Sequence, residues 1–245
     1  MKKIIFILCL LLPIVASAAG GSKVPLDKAE YDLTDKASLQ SGAQTFMNYC
    51  LGCHQMQYQR YQRTFEDLGI PLALGQENLQ FTGTKPGDHI KNAMPTESGA
   101  KWFGAPPPDL TLTGRVRGAD WLYTYLRSFY AEEGTTFGVN NMVFANVGMP
   151  HVLQELQGVP SKTYETMLID GQMVERYVGI KADGSGQLSA PEYDKAVLDL
   201  VNYLVYVGEP SRLQSESIGR WVMIFLLVLL VLVYLLKKDY WRDVH

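Results

Sequence analysis

The sequence predicts a mainly α-helical exported domain with long loop insertions, fixed to a membrane by one C-terminal helix. Three observations carry that prediction. The chain closes on an uninterrupted apolar run, Trp221 to Leu236. Tyr193, Ala196, Val197, Leu200, Val201, Leu204 and Val205 form an apolar helical stripe behind the capping signature Ser189-x-x-Glu192. A second stripe, Leu39, Ala43, Phe46, Met47 and Cys50, leads into the motif that holds every cysteine beyond position 9.

The elements follow in chain order. Residues 1–18 read as a secretory signal: Lys2 and Lys3 precede the apolar run Ile4 to Val15, and Ala16-Ser17-Ala18 is the cleavage site. Cys9 is not read as a lipid anchor, because Leu8 stands where a lipoprotein signal needs a small residue. Removing Lys2 and Lys3 moves the formal net charge from -3 to -5, which disfavours a nucleic-acid binder. The roughly 190 residues between the two ends suffice for one ordinary domain.

The first stripe predicts a helix with Ser38 as its N-cap. It delivers Tyr49-Cys50-Leu51-Gly52-Cys53-His54. With Cys9 in the signal, no cysteine remains for a long-range disulfide, and no second Cys/His cluster completes a zinc site. A thioredoxin-like pair gives no reason for the adjoining histidine. Cys-x-x-Cys-His is the spacing of covalent haem attachment: two thiols on one helical turn form thioethers, and the next residue offers imidazole to the iron. Cys50 and Cys53 are therefore the candidate attachment points of one haem c, and His54 is a candidate iron ligand. The second stripe predicts a helix from Ser189 that stops at Gly208, with Pro210 just beyond. A haem-motif helix crossed by a C-terminal amphipathic helix is, by analogy, the c-type cytochrome fold.

The sixth iron ligand separates electron transfer from gas binding, and methionine sulfur raises the reduction potential. Met47 lies on a helix face and Met56 is too near His54 to reach the opposite face of a haem. Two Met-Pro pairs remain, Met94-Pro95 and Met149-Pro150, and the pattern alone does not separate them. His89 and His151 read as surface or loop residues. Lys181 to Glu192 aligns with a calcium loop, but its first position is Lys181 rather than aspartate, so a turn followed by a capped helix is expected. The last run, counted from Ile218, reaches about 28 Å as a helix and suits a membrane span, with Lys237, Lys238 and Arg242 beyond it.

Four segments resemble the cytochrome c1 family, the haem-bearing subunit of bacterial ubiquinol:cytochrome c oxidoreductase, the bc1 complex. They are Cys50 to Met56 with Tyr58, Arg60 and Tyr61; Trp102-Phe-Gly-Ala-Pro-Pro-Pro-Asp-Leu110; Arg115-Val-Arg117; and Glu192 through Pro210. The resemblance runs in order over essentially the whole mature chain. It implies that Met149, in Gly148-Met149-Pro150, is the axial methionine. It also implies that Arg117 neutralises a haem propionate and that Pro107, Pro108 and Leu110 wall the haem. Trp121 departs from the pattern, where tyrosine is expected, and no disulfide can stiffen the ligand loop, so its geometry must rest on packing such as that of Trp121, Tyr125 and Phe129.

The function so implied is a membrane-anchored monohaem cytochrome that carries single electrons from an iron–sulfur subunit of a quinol-oxidising complex to cytochrome c. The implied partners are cytochrome b, the Rieske iron–sulfur subunit, a cytochrome c acceptor and the lipid membrane. No bond of a substrate is made or broken by the chain itself. Residues 1–18 are the expected signal peptide, 19–210 a periplasmic haem domain, and 211–245 the inner-membrane anchor with a short cytoplasmic tail. The acidic excess suits steering of a basic partner. Two rivals have other signatures: a membrane-bound cytochrome c feeding a terminal oxidase or reductase would lack a b-type partner, and a haem gas sensor would be five-coordinate.

Overall fold

A computed structural model of the chain describes residues 24–169 and 172–244. The expected signal peptide, Cys9 included, lies outside the described residues.

Helix α1 spans Lys36–Thr45 and runs on as a π-helical turn, Phe46–Cys50. Its N-cap is Asp35, whose carboxylate accepts a hydrogen bond from the Ser38 N–H at 3.0 Å. The expectation of Ser38 at that position is corrected by this geometry, since a cap's oxygen serves the backbone N–H three residues on. Ser38 is instead buried one turn into the helix, where its hydroxyl donates to Asp199 at 2.6 Å and accepts from Asn202 at 3.0 Å.

A short β-ribbon follows, with β1 (Met56–Arg60) antiparallel to β2 (His89–Ile90) and two helices, α2 (Tyr61–Leu68) and α3 (Leu72–Leu79), between its strands. Three more helices come next: α4 (Thr96–Phe103), α5 (Thr113–Arg117) and α6 (Ala119–Arg127). A three-residue ribbon, β3 (Phe129–Ala131) with β4 (Val139–Asn141), precedes the ligand-candidate loop, and α7 (Gln154–Gln157) follows that loop. The last insertion is an antiparallel hairpin, β5 (Pro160–Ile169) with β6 (Gln172–Ala182). Tyr164, Met167, Met173, Val174, Tyr177 and Val178 are exposed along it. The long insertions expected from the sequence thus carry three two-stranded sheets among the described residues.

Helix α8, Ala190–Gly208, begins where the capping signature places it: the Ser189 N–H and hydroxyl donate to the Glu192 carboxylate at 2.9 and 2.6 Å. Asp183 is likewise occupied in a turn, accepting from Val159, Ser185 N–H and the Ser185 hydroxyl at 2.7–3.0 Å. The segment aligned with a calcium loop is therefore a turn and a capped helix. Helix α8 crosses α1 at Gly42, where an added Cβ would lie 2.0 Å from the Asp199 carbonyl oxygen. Around that crossing Leu39, Ala43, Phe46, Val197, Leu200, Val201 and Tyr203 are buried, and the rings of Phe46 and Tyr203 sit 5.9 Å apart. Helix α6 docks on α8 through Tyr193, whose hydroxyl donates to the Leu126 carbonyl at 2.8 Å, and through Arg127, which grips Asp194 at 2.6 and 3.0 Å.

Three residues, Glu209 to Ser211, separate α8 from α9, Arg212–Tyr240. Its 29 residues have a most apolar window of mean hydropathy 2.6, and none of that window is buried. At 1.5 Å per residue the helix is about 43 Å long, which exceeds a hydrocarbon core of about 30 Å. A helix apolar on all sides and uncovered by protein is a lipid-facing span. The span anticipated from Ile218 is the middle of this longer helix.

Candidate haem site

The π-helical turn widens α1 as it ends: the Leu51 N–H bonds back five residues to Phe46 at 3.0 Å. Cys53 and His54 N–H groups then both bond to the Cys50 carbonyl, at 3.0 and 2.8 Å, closing the motif into one compact turn. Both thiols are free; Cys50 is buried and Cys53 half-buried. Burial, with a smaller contribution from neighbouring Cys53, pushes the Cys50 thiol up to about 12, and burial also raises Cys53. A disulfide oxidoreductase needs the opposite, a thiolate stabilised near neutral pH.

His54 is oriented by a backbone group. Its Nδ1 lies 2.7 Å from the Pro108 carbonyl oxygen, so Nδ1–H donates and Nε2 keeps a free lone pair. Burial lowers the His54 pKa, against smaller upward pulls from the Pro108 carbonyl and Asp109. A neutral imidazole with a fixed tautomer is the form that ligates iron. Two uncharged thiols one turn apart beside such a histidine fit covalent haem c.

The segment that orients His54 is itself tied to the motif. The Leu110 N–H donates to the Gln55 carbonyl at 2.9 Å, and Asp109 accepts from the Gln57 and Thr111 N–H groups at 2.8 and 2.9 Å. The Pro108 ring is exposed and Leu110 half-buried. Prolines here hold an extended path without needing backbone donors.

Met149 is half-buried. Its sulfur accepts a hydrogen bond from the Tyr125 hydroxyl at 3.4 Å, and burial pushes the Tyr125 phenol up, so it remains a donor. Tyr125 belongs to a ladder with four-residue spacing that begins on α6 and ends on the first residue of β3. The Arg117 guanidinium lies 4.9 Å over the half-buried ring of the ladder's first member, Trp121; Trp121 stacks on Tyr125 at 4.8 Å and 10°; Phe129 meets Tyr125 edge-on at 5.3 Å. Phe129 in turn stacks on His151 at 5.0 Å. His151 is buried, not a surface residue as its loop setting suggested, and burial pulls its pKa down to about 4. It is a neutral packing group. Met94, by contrast, has its sulfur beside Gly99 of α4, 3.3 Å from where a Cβ would stand.

One strip of chain joins the two halves of the site. A Cβ on Gly148 would lie 2.4 Å from the Phe103 carbonyl oxygen, and five residues later the Pro108 carbonyl meets His54. Five residues span at most about 18 Å, so the Met149 loop and the His54 turn rest on a single short segment. Two buried asparagines that sequence reasoning passed over shape that loop. Asn141 donates to the Tyr125 carbonyl at 2.8 Å and accepts from the Val143 and Phe144 N–H groups at 2.9 and 3.1 Å. Asn140 accepts from Asn146 N–H at 2.9 Å. The signal was present as an asparagine pair ending a strand pattern, residues that organise turns with their side chains.

The model of the Cytochrome C1 family matches residues 73–244. A cytochrome c1 of Allochromatium vinosum is 49% identical over the whole of both chains. The ammonia monooxygenase gamma subunit of Nitrosomonas europaea is 44% identical over 100% of this chain and 99% of its own. A cytochrome b/c1 of Bradyrhizobium diazoefficiens is 23% identical over 86% of this chain, which spans 34% of that protein. The family match, the full-length relative and the lipid-facing helix together make this chain a single-pass membrane member of the cytochrome c1 family, electron-transfer proteins that carry one covalent haem c.

Proposed function

We propose that Cys50 and Cys53 hold the haem by thioethers, that His54 Nε2 and Met149 Sδ are its axial ligands, and that the chain relays single electrons from a Rieske iron–sulfur subunit to a cytochrome c. The observation that carries this reading is the His54 Nδ1 to Pro108 carbonyl bond of 2.7 Å, which leaves one ring nitrogen free for metal. The bound haem supplies a one-electron couple and no bond-making chemistry. The chain's residues set that couple and hold it in place. Met149 sulfur favours the reduced state, Pro107, Pro108 and Leu110 exclude water, and Arg117 neutralises a propionate. The always-charged fork of arginine suits a carboxylate.

The partners in this reading are the cytochrome b and Rieske subunits of a quinol-oxidising complex. Family membership supports it, as does a relative whose name pairs cytochrome b with c1. The signal reading supports the sidedness: residues 19–210 on the periplasmic face of the inner membrane, 211–245 as anchor and short cytoplasmic tail. Copurification with a b-type cytochrome and an iron–sulfur protein is the expected result from detergent-solubilised membranes. Their absence would favour delivery to a terminal oxidase or other reductase instead.

The ligand assignment is tested by visible spectra and redox titration of Met94→Leu and Met149→Leu. Met149→Leu is expected to lose the weak sulfur-to-iron band at the red end of the oxidised spectrum and to lower the potential. Met94→Leu should keep both. If neither variant loses the band, methionine ligation by this loop is wrong.

A further inference from the structure

We infer that Tyr125 is a positioning residue for Met149, its hydroxyl bonding the sulfur through a lone pair that a bound iron would not need and thereby raising the reduction potential and resisting displacement of the ligand. The inference rests on the reading of Met149 as axial ligand.

A thioether sulfur has two lone pairs, so donation to a metal leaves one for a hydrogen bond. The Tyr125 hydroxyl stands 3.4 Å from that sulfur. Its direction is fixed from several sides. Trp121 lies flat against the ring, with planes 10° apart, Phe129 closes the edge at 70°, and Asn141 holds the Tyr125 carbonyl at 2.8 Å. Asn141 also organises the turn from Val143 onward, so one side chain couples the phenol's helix to the methionine's loop. In the absence of a disulfide, this polar clamp holds the loop.

The electrostatic sign follows from the O–H dipole. Its positive end points at the sulfur, close to a centre that carries one more positive charge when oxidised. In a half-buried site such a dipole is only partly screened and disfavours the oxidised state. The hydroxyl therefore adds to the effect of the sulfur itself. It also gives the ligand a second hold, worth about fivefold in the concentration of a competing ligand needed to displace it.

The test uses full-length, haem-loaded protein in detergent. Tyr125→Phe keeps the ring, its stack and its edge contact and removes only the hydroxyl. The expected result is a retained sulfur-to-iron band, a lower potential, and displacement of that band at about fivefold lower imidazole. A potential and an imidazole midpoint equal to wild type would overturn the inference. Should the phenylalanine variant fail to accumulate, 3-fluorotyrosine placed at position 125 keeps the size and strengthens the donor. It is expected to shift the potential upward, and no shift would equally overturn the inference. The two readings fail differently: a band that survives Met149→Leu removes the ligand assignment, whereas a band lost in Met149→Leu with Tyr125→Phe unchanged removes the tyrosine's role alone.

Discussion

Gly42→Ala is expected to leave little folded protein. The added Cβ would stand 2.0 Å from the Asp199 carbonyl oxygen and 2.8 Å from the Tyr203 Cβ, both on the facing helix, so α1 and α8 must separate. Overpacking of this kind costs about 3 kcal/mol. That is a large share of a stability of about 5–15 kcal/mol. Separation would also break the Ser38 hydroxyl's 2.6 Å bond to Asp199, a side chain only 8% exposed that would keep Lys195 alone as partner. Membrane levels of haem-stained protein, and the thermal midpoint of what remains, measure the effect. Gly87→Ala, away from the haem motif, is the control, because nothing lies within 4 Å of the added carbon there. Wild-type accumulation of Gly42→Ala would show that the helices cross farther apart than described.

Gly148→Ala should spare the fold and damage the site. Its Cβ would meet the Phe103 carbonyl oxygen at 2.4 Å. Phe103 cannot easily retreat, since the chain beyond it is bound through Pro108 to His54 and through Leu110 to Gln55. The methionine loop must yield instead. A strain of about 2 kcal/mol corresponds to roughly a thirtyfold shift against the ligated arrangement. Most molecules are then expected to lose the sulfur-to-iron band while the covalent haem remains, as read by spectrum and by haem staining of denatured protein. A full-strength band in this variant would mean that the Phe103 contact does not restrain the methionine.

Helices α1, α8 and α9 were legible because their signals are local. Ser189 and Glu192 start α8, Gly208 ends it, and the stripe between them buries as its spacing requires. The one slip at α1 came from two candidate caps three residues apart. Asp35 and Ser38 are both good cap residues, and only the burial of Ser38 against Asp199 decides between them. The β5–β6 hairpin went unread for a different reason. Its apolar residues are exposed rather than set on one buried face, so no clean alternation marks it as strand. Within the site, the motif announced Cys50, Cys53 and His54, but the partner of His54 is a backbone carbonyl, which any residue supplies and no pattern can flag. Tyr125 and Met149 meet across 24 positions, and their contact exists only once α6 and the loop are placed. Met94 and Met149 look alike as Met-Pro pairs, yet one sulfur sits beside a helix glycine and the other takes a phenol hydrogen bond.

The short joint between α8 and α9 limits where electrons can be exchanged. Glu209, Pro210 and Ser211 reach about 10 Å at full stretch. Arg212 closes even that slack by bonding the Tyr31 hydroxyl at 3.0 Å, while Arg115 reaches Glu209 at 3.5 Å. The redox end of the molecule is thus mounted like a fixture on its mast rather than swung on a tether. Any motion between an electron donor and an acceptor is then left to the molecules that meet this one.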